Sequence, residues 1–283
     1  MGLLKALNHL TIVSVLAFNG ILNVFPSVLN QVKFSKPLSK LAVNKGERIA
    51  KVIARAGLCS RREAETWIHE RRVSVDGAVL DSPAFRVTPK NHIVVDGKPL
   101  PQKSPPRLWL YYKPKGLVTS HKDELGRPTL FETLPKNLPR VISVGRLDLN
   151  SEGLILLTND GELARHLELP STGWMRTYRV RVHGRVDPQT LKTLKNGITI
   201  EGIHYGSITA TLERQQGENA WLLVSLKEGK NREIRRVFEF LGWPVNRLIR
   251  THYGPYELES LKPGEVKAAA LPPEVRSRTI NRK

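Results

Sequence analysis

Asp148 is the side chain whose surroundings call first for a chemical reading. It lies in "VGRLDLNSEGLILLTNDG" (Val144 to Gly161), two residues after Arg146 and at the foot of the apolar run Leu154 to Leu157. With no histidine, cysteine or second close aspartate beside it, neither a metal ligand set nor a carboxylate dyad explains it. On an extended segment Arg146 and Asp148 point the same way. Glu152, four residues on, suggests a glycosidase-like acid pair, but Asn150 and Ser151 between them suggest a turn that fixes no separation. Residue types and spacing thus leave a single carboxylate without a partner of its own kind.

Other polar residues stand out less sharply. "RTYRVRV" alternates, sending Tyr178, Val180 and Val182 to one face and Thr177, Arg179 and Arg181 to the other; Tyr178 is either a stacking platform or a core tyrosine. Lys113 and Lys115 in "YKPKG", and Lys230, Asn231 and Arg232 at the start of a helix, are phosphate contacts in this reading, because a helix N-terminus favours anions. Arg235 in "NREIRRV" is either a functional cation or a surface arginine of an amphipathic helix. His183, His204 and His252 lack metal-ligand spacing. The single cysteine, Cys59, excludes an intrachain disulfide and a cysteine-based zinc site, and fits a reducing, cytoplasmic setting.

The elements that must position these residues are strands for the most part. "LWLYY", "LILLT", "TYRVRVHG", "ITI", "SITATLE" and "AWLLVSL" are β-rich runs broken by turn residues. Asp187-Pro188 starts a helix that Gly197 ends, and Ile234, Val237, Phe238 and Leu241 mark another that closes at Gly242. Without a strict βαβ rhythm the pattern predicts an α+β protein.

A smaller unit precedes them. Ile49, Val52, Ile53 and Ala56 recur at helical spacing before Gly57, and Ser60 stands three residues ahead of Glu63 in capping-box spacing before Ala64, Trp67 and Ile68. "VSVDGAVL" and "IVVDGKPL" each carry the Asp-Gly hairpin signal. Two helices and a small sheet are therefore predicted over 47–100, then a proline-rich linker at 101–106, a larger domain over 107–275 and a basic tail at 276–283. Seven Lys/Arg lie between Arg48 and Arg72, and Lys51, Arg55, Arg61 and Arg62 are the expected RNA contacts among them.

Charge sets the partner class. The 283 residues carry 45 Lys+Arg against 26 Asp+Glu, a formal +19, which attracts polyanions by counterion release. Residues 1–46 hold no Asp or Glu, and their apolar segment Leu10 to Phe18 is far short of the ~20 residues that span a bilayer. A disordered or artefactual extension is expected there, ahead of a targeting peptide, and no membrane association.

Two resemblances sharpen this reading. "ARAGLCSRREAETWIHERRVSVDG" resembles the RNA-binding domain shared with ribosomal protein S-four and some tyrosyl-tRNA synthetases. "YYKPKGLVTS", "VGRLDLNSEGLILLTNDG" and "LKEGKNREIRRV", in that order behind such a domain, resemble the bacterial ribosomal pseudouridine synthases of the RsuA/RluB family. The resemblance implies a mixed, largely antiparallel sheet with a central cleft for RNA and a cofactor-independent, metal-free isomerisation of uridine. Asp148 is implied as the reacting carboxylate, Arg235 as the cation that keeps it charged through two hydrogen bonds, Tyr178 as the stacking ring, Leu226 as the apolar residue beneath the base, and Arg146 as an aid to extrusion. "HKDELGRPTLFETLP" is closer to the large-subunit branch, so 23S rRNA or an assembling large subunit is the expected partner of a monomeric enzyme. A small-subunit 16S rRNA synthase, a non-catalytic assembly factor and a glycosidic-bond hydrolase are the rival readings.

Overall fold

The computed structural model describes residues 46–273 and 275; the basic tail and, Gly46 apart, the expected extension fall outside them. The first helices, α1 (Ile49–Arg55) and α2 (Arg61–His69), bury Ile49, Ile53, Ala64 and Ile68 against Val73 and Val95 of a four-stranded sheet. Ser60 caps α2: its hydroxyl accepts from the Glu63 amide at 3.1 Å while the Glu63 carboxylate accepts from the Ser60 amide at 2.7 Å. Asp76-Gly77 and Asp96-Gly97 all have φ between +50 and +86°, the left-handed pair that a two-residue hairpin turn requires.

The larger sheet has nine strands. In chain order they are β1 (Leu108–Lys113), β2 (Ile142–Val144), β3 (Glu152–Thr158), β4 (Arg176–His183), β5 (Ile208–Gln216), β6 (Asn219–Leu226), β7 (Val245–Tyr253), β8 (Tyr256–Glu257) and β9 (Val266–Ala269). Their spatial order is β5-β6-β4-β7-β3-β1-β9, with β8 on β7 and β2 on β3. All these pairings are antiparallel except β7 with β3. This is the mixed, largely antiparallel sheet the sequence led one to expect.

Burial explains why the strands read as they do. β1 and β3 are buried along their whole length because both faces are covered, so they are unbroken apolar runs. Trp109, Tyr111, Ile155 and Leu157 join one core, whereas Leu108, Leu110, Leu154 and Leu156 join the other. α3 (Gly161–Glu168) packs Leu163 and Leu167 into the second core, whereas α4 (Pro188–Thr193) packs Leu191 and α5 (Glu233–Phe240) packs Ile234, Val237 and Phe238 into the first. β4 alternates buried and exposed because only one of its faces is covered. At the parallel junction Gly153 has φ +105°, and a Cβ there would stand 2.3 Å from the Arg250 carbonyl oxygen; only glycine lets β3 and β7 meet.

Candidate active site

Asp148 reaches its place by a short, braced path. After β2, Gly145 turns the chain at φ +67°, and Leu147 is drawn inward, where its carbonyl accepts from the Thr119 hydroxyl at 2.7 Å. Arg146 and Asp148, on either side of it, face a cleft of about 590 Å³. The Ser151 amide then donates to the Asp148 carbonyl at 3.0 Å, closing the turn into β3.

Beneath that turn lies Lys113, fully buried. Its ammonium donates to the carbonyls of Ser151 (2.9 Å), Pro114 (3.0 Å), Asp148 (3.2 Å) and Leu149 (3.4 Å). Burial pushes its pKa down to about 8, so it is largely protonated at neutral pH. The sequence reading of Lys113 as a phosphate contact is thus corrected: the side chain is spent on the backbone that carries Asp148.

Arg235 also holds this turn. Its Nη2 donates to the Asn150 carbonyl at 3.0 Å and its Nη1 to the Val245 carbonyl at 3.1 Å. The expected pair of hydrogen bonds to the Asp148 carboxylate is absent among the described residues. The ion pair of Asp148 is with Arg232, Nη1 to Oδ2 at 3.6 Å, and Arg232 adopts φ +52° at the start of α5. Arg235 still feels the carboxylate: burial and Arg232 lower its pKa, and Asp148 opposes them. The physical reason for the difference is competition, since the fork geometry of one guanidinium is taken up by carbonyls of two separate strands' ends.

Tyr178 and Leu226 line the same cleft, both buried. Sequence reasoning did not single out Arg176, Arg250 or Glu233, which also line it. Arg176 and Arg250 are only 8% and 3% exposed, and each guanidinium lies 5.0 Å from the Tyr253 ring centre. The signal for Arg176 was available, because it shares the parity of Tyr178 in β4. Glu233, also in the wall, is buried; its Oε2 accepts from the Lys230 amide at 2.8 Å and its Oε1 has no partner. Burial raises its pKa.

Asp148, Tyr178 and Leu226 thus face one cleft, walled by cations at the junction of β3 and β7. The RNA pseudouridylate synthase family matches residues 107–240, and the S4 domain matches residues 47–94. An uncharacterised RNA pseudouridine synthase of Rickettsia felis is 53% identical over 221 residues, covering 78% of this chain and 96% of its own. The chain belongs to the RNA pseudouridine synthase family. The ribosomal large subunit pseudouridine synthase B of Yersinia pestis is 43% identical over 219 residues, covering 75% of this chain and 69% of its own. A crystal structure of a pseudouridylate synthase superposes with a TM-score of 0.55 at 27% identity, covering 79% of this chain and 96% of that one. The RsuA/RluB resemblance and the fold it implied are borne out.

The remaining residues of this pseudouridine synthase divide. Arg146, Lys230, Asn231 and Arg232 line the cleft. Lys230 also pairs with Glu228. Lys115 is exposed and outside the cleft wall, its charge felt by Glu152. Glu152 is buried and bound by Arg247 at 2.8 and 3.1 Å, which removes it from any acid pair with Asp148. In the S4 domain, Arg61 and Arg62 are exposed and carry no ion pair among the described residues. Lys51 and Arg55 do not stand free as expected: Lys51 binds Glu162 at 2.8 Å and Glu47 at 3.1 Å, and Arg55 binds Glu47 at 2.8 Å. Facing carboxylates on neighbouring elements neutralise them. No group of three His, Cys, Asp or Glu is placed to hold a metal ion, and no helix is long and apolar enough to cross a membrane, among the described residues.

Proposed function

We propose that this protein isomerises a uridine of ribosomal RNA, in the 23S RNA of the large subunit, in the cytoplasm and as a monomer. The reaction breaks the bond from C1′ of the ribose to N1 of uracil, joins C1′ to C5, and exchanges the C5 proton for one on N1. Asp148 reacts with the nucleotide, as nucleophile or as base. Tyr178 stacks on the extruded uracil, Leu226 supports it, and Arg146 assists extrusion. Arg232 pairs directly with the Asp148 carboxylate, and Arg235 fixes the loop that presents it. Lys230 and Asn231 contact phosphates beside the cleft, and Arg61 and Arg62 add affinity from the S4 domain.

The observation that carries this reading is the convergence of Asp148, Tyr178, Leu226, Arg146 and Arg235 on one cleft, from segments up to 89 residues apart in the chain. The large-subunit names of the synthase B relatives support the choice of 23S RNA. Mapping pseudouridines in ribosomal RNA from cells with and without the gene tests it. One or more 23S positions should revert to uridine; a change confined to 16S RNA would move the substrate to the small subunit. With purified protein, Asp148→Asn should abolish isomerisation and leave RNA affinity within about twofold, because a neutral isostere adds no repulsion. Persisting turnover would overturn the role of Asp148, and free uracil as product would mean hydrolysis.

A further inference from the structure

Arg250 is the cleft residue that the proposed chemistry does not use. It is 97% buried, yet among the described residues its side chain makes one hydrogen bond, from Nε to the Leu154 carbonyl at 2.7 Å, and its Nη2 has no partner. Its neighbour Arg176 is also buried. Arg176 donates from Nη2 to the Tyr253 hydroxyl at 3.1 Å and to the Glu168 carbonyl at 3.3 Å, and from Nη1 to the carbonyls of Trp174 (3.4 Å) and Lys227. Neither guanidinium has a carboxylate oxygen within 4.0 Å among the described residues, and the two are held around the Tyr253 ring. Two buried cations with no carboxylate at ion-pair distance are costly, and an arriving anion lowers that cost where a neutral carbonyl oxygen does not.

Register shows which anion. Arg250 is the cross-strand partner of Tyr178, on the same buried face of β4 and β7, so the two side chains leave backbones one strand spacing apart, about 5 Å, and both line the cleft. The anion that a uracil stacked on Tyr178 brings to this wall is a phosphodiester of its own strand. We infer that Arg250, backed by Arg176, binds a phosphate flanking the extruded uridine, and so makes base extrusion and phosphate capture one event. Arg250 is also anchored for this: Gly153 packs directly on its backbone and the Leu154 carbonyl fixes Nε, leaving only the outer nitrogens for substrate.

This inference rests on the proposed uridine isomerisation, and the test separates the two. Once the modified position is mapped, a synthetic stem-loop carrying it is prepared with a neutral methylphosphonate at the 5′ or the 3′ linkage of the target uridine. Wild-type protein must first convert the all-phosphate RNA; if it does not, the site reading itself has failed. Given turnover, one neutral linkage should lower kcat/KM by about ten- to a hundredfold, the worth of a hydrogen bond between charged groups. Arg250→Met should lose a similar factor on the all-phosphate RNA and lose little more on the neutral one. Full wild-type activity on both neutral RNAs, a measurement that involves no variant, would overturn the assignment. So would equal penalties from the neutral linkage in wild type and Arg250→Met.

Discussion

Lys113 and Lys115 look alike in "YKPKG", and only one of them faces solvent. The difference lies in parity: Trp109, Tyr111 and Lys113 alternate onto the same covered face of β1, so the strand carries the lysine inward with them. Lys113→Met keeps the length and removes the charge, leaving the carbonyls of Asp148, Leu149 and Ser151 without this donor. A loss of about 2–4 kcal/mol in urea denaturation is expected, together with a fall in kcat larger than any change in RNA affinity. Glu233 makes the opposite kind of contribution. Burial raises its pKa in the folded state, so its stabilising share is present below the ordinary carboxylate pKa and is lost as pH rises through the raised value. Glu233→Gln keeps an acceptor for the Lys230 amide and removes the titration. Denaturation midpoints across the range from about pH 4 to 8 should then fall less with rising pH than in wild type. Of the residues in the cleft, Asp148, Arg146 and Tyr178 were legible because short motifs carry them. Arg250 was not, because nothing in "NRLIRTHYG" separates an inward arginine from its outward neighbour Arg247.

Elements were easier to read than their pairing. The capping box before α2, both Asp-Gly turns and the glycine at the end of α5 have local causes, and all are in place. Ser60→Ala removes one half of that box, and about 1 kcal/mol of stability should go with it in thermal or urea unfolding. The meeting of β3 with β7 has no local signature, since Glu152 pairs with Ile249 across nearly a hundred intervening residues. Gly153 is the trace it leaves in the sequence, and an isolated glycine at the start of a strand does not announce its partner. Gly153→Ala sets a methyl against the Arg250 carbonyl at a strained φ. It should cost more than Ser60→Ala, about 3 kcal/mol or more, and lower turnover by displacing both the Asp148 turn and Arg250.

At the scale of the molecule, the +19 charge correctly pointed to a polyanion, but not to the cations that are free to meet it. Lys51 is tied to Glu162 at the start of α3, and the carboxylate holds the Lys51 pKa up. That contact joins the S4 domain to the catalytic domain. Because both partners are partly exposed, the pair is worth a fraction of a kcal/mol, and Glu162→Gln should tighten RNA binding by about two- to fivefold at low salt. The gain should shrink as salt is added, which a filter-binding series would read directly.

The same junction of β3 and β7 sets when the protein becomes competent. β1, β2 and β3 can pair as soon as residue 158 has been made, but the wall formed by Leu226, Arg235 and Arg250 arrives only with the last third of the chain, and β9 seals β1 later still. Contacts of such long sequence separation form late. An emerging chain therefore displays a finished S4 domain, able to grip nucleic acid, well before it owns a pocket in which a base could react.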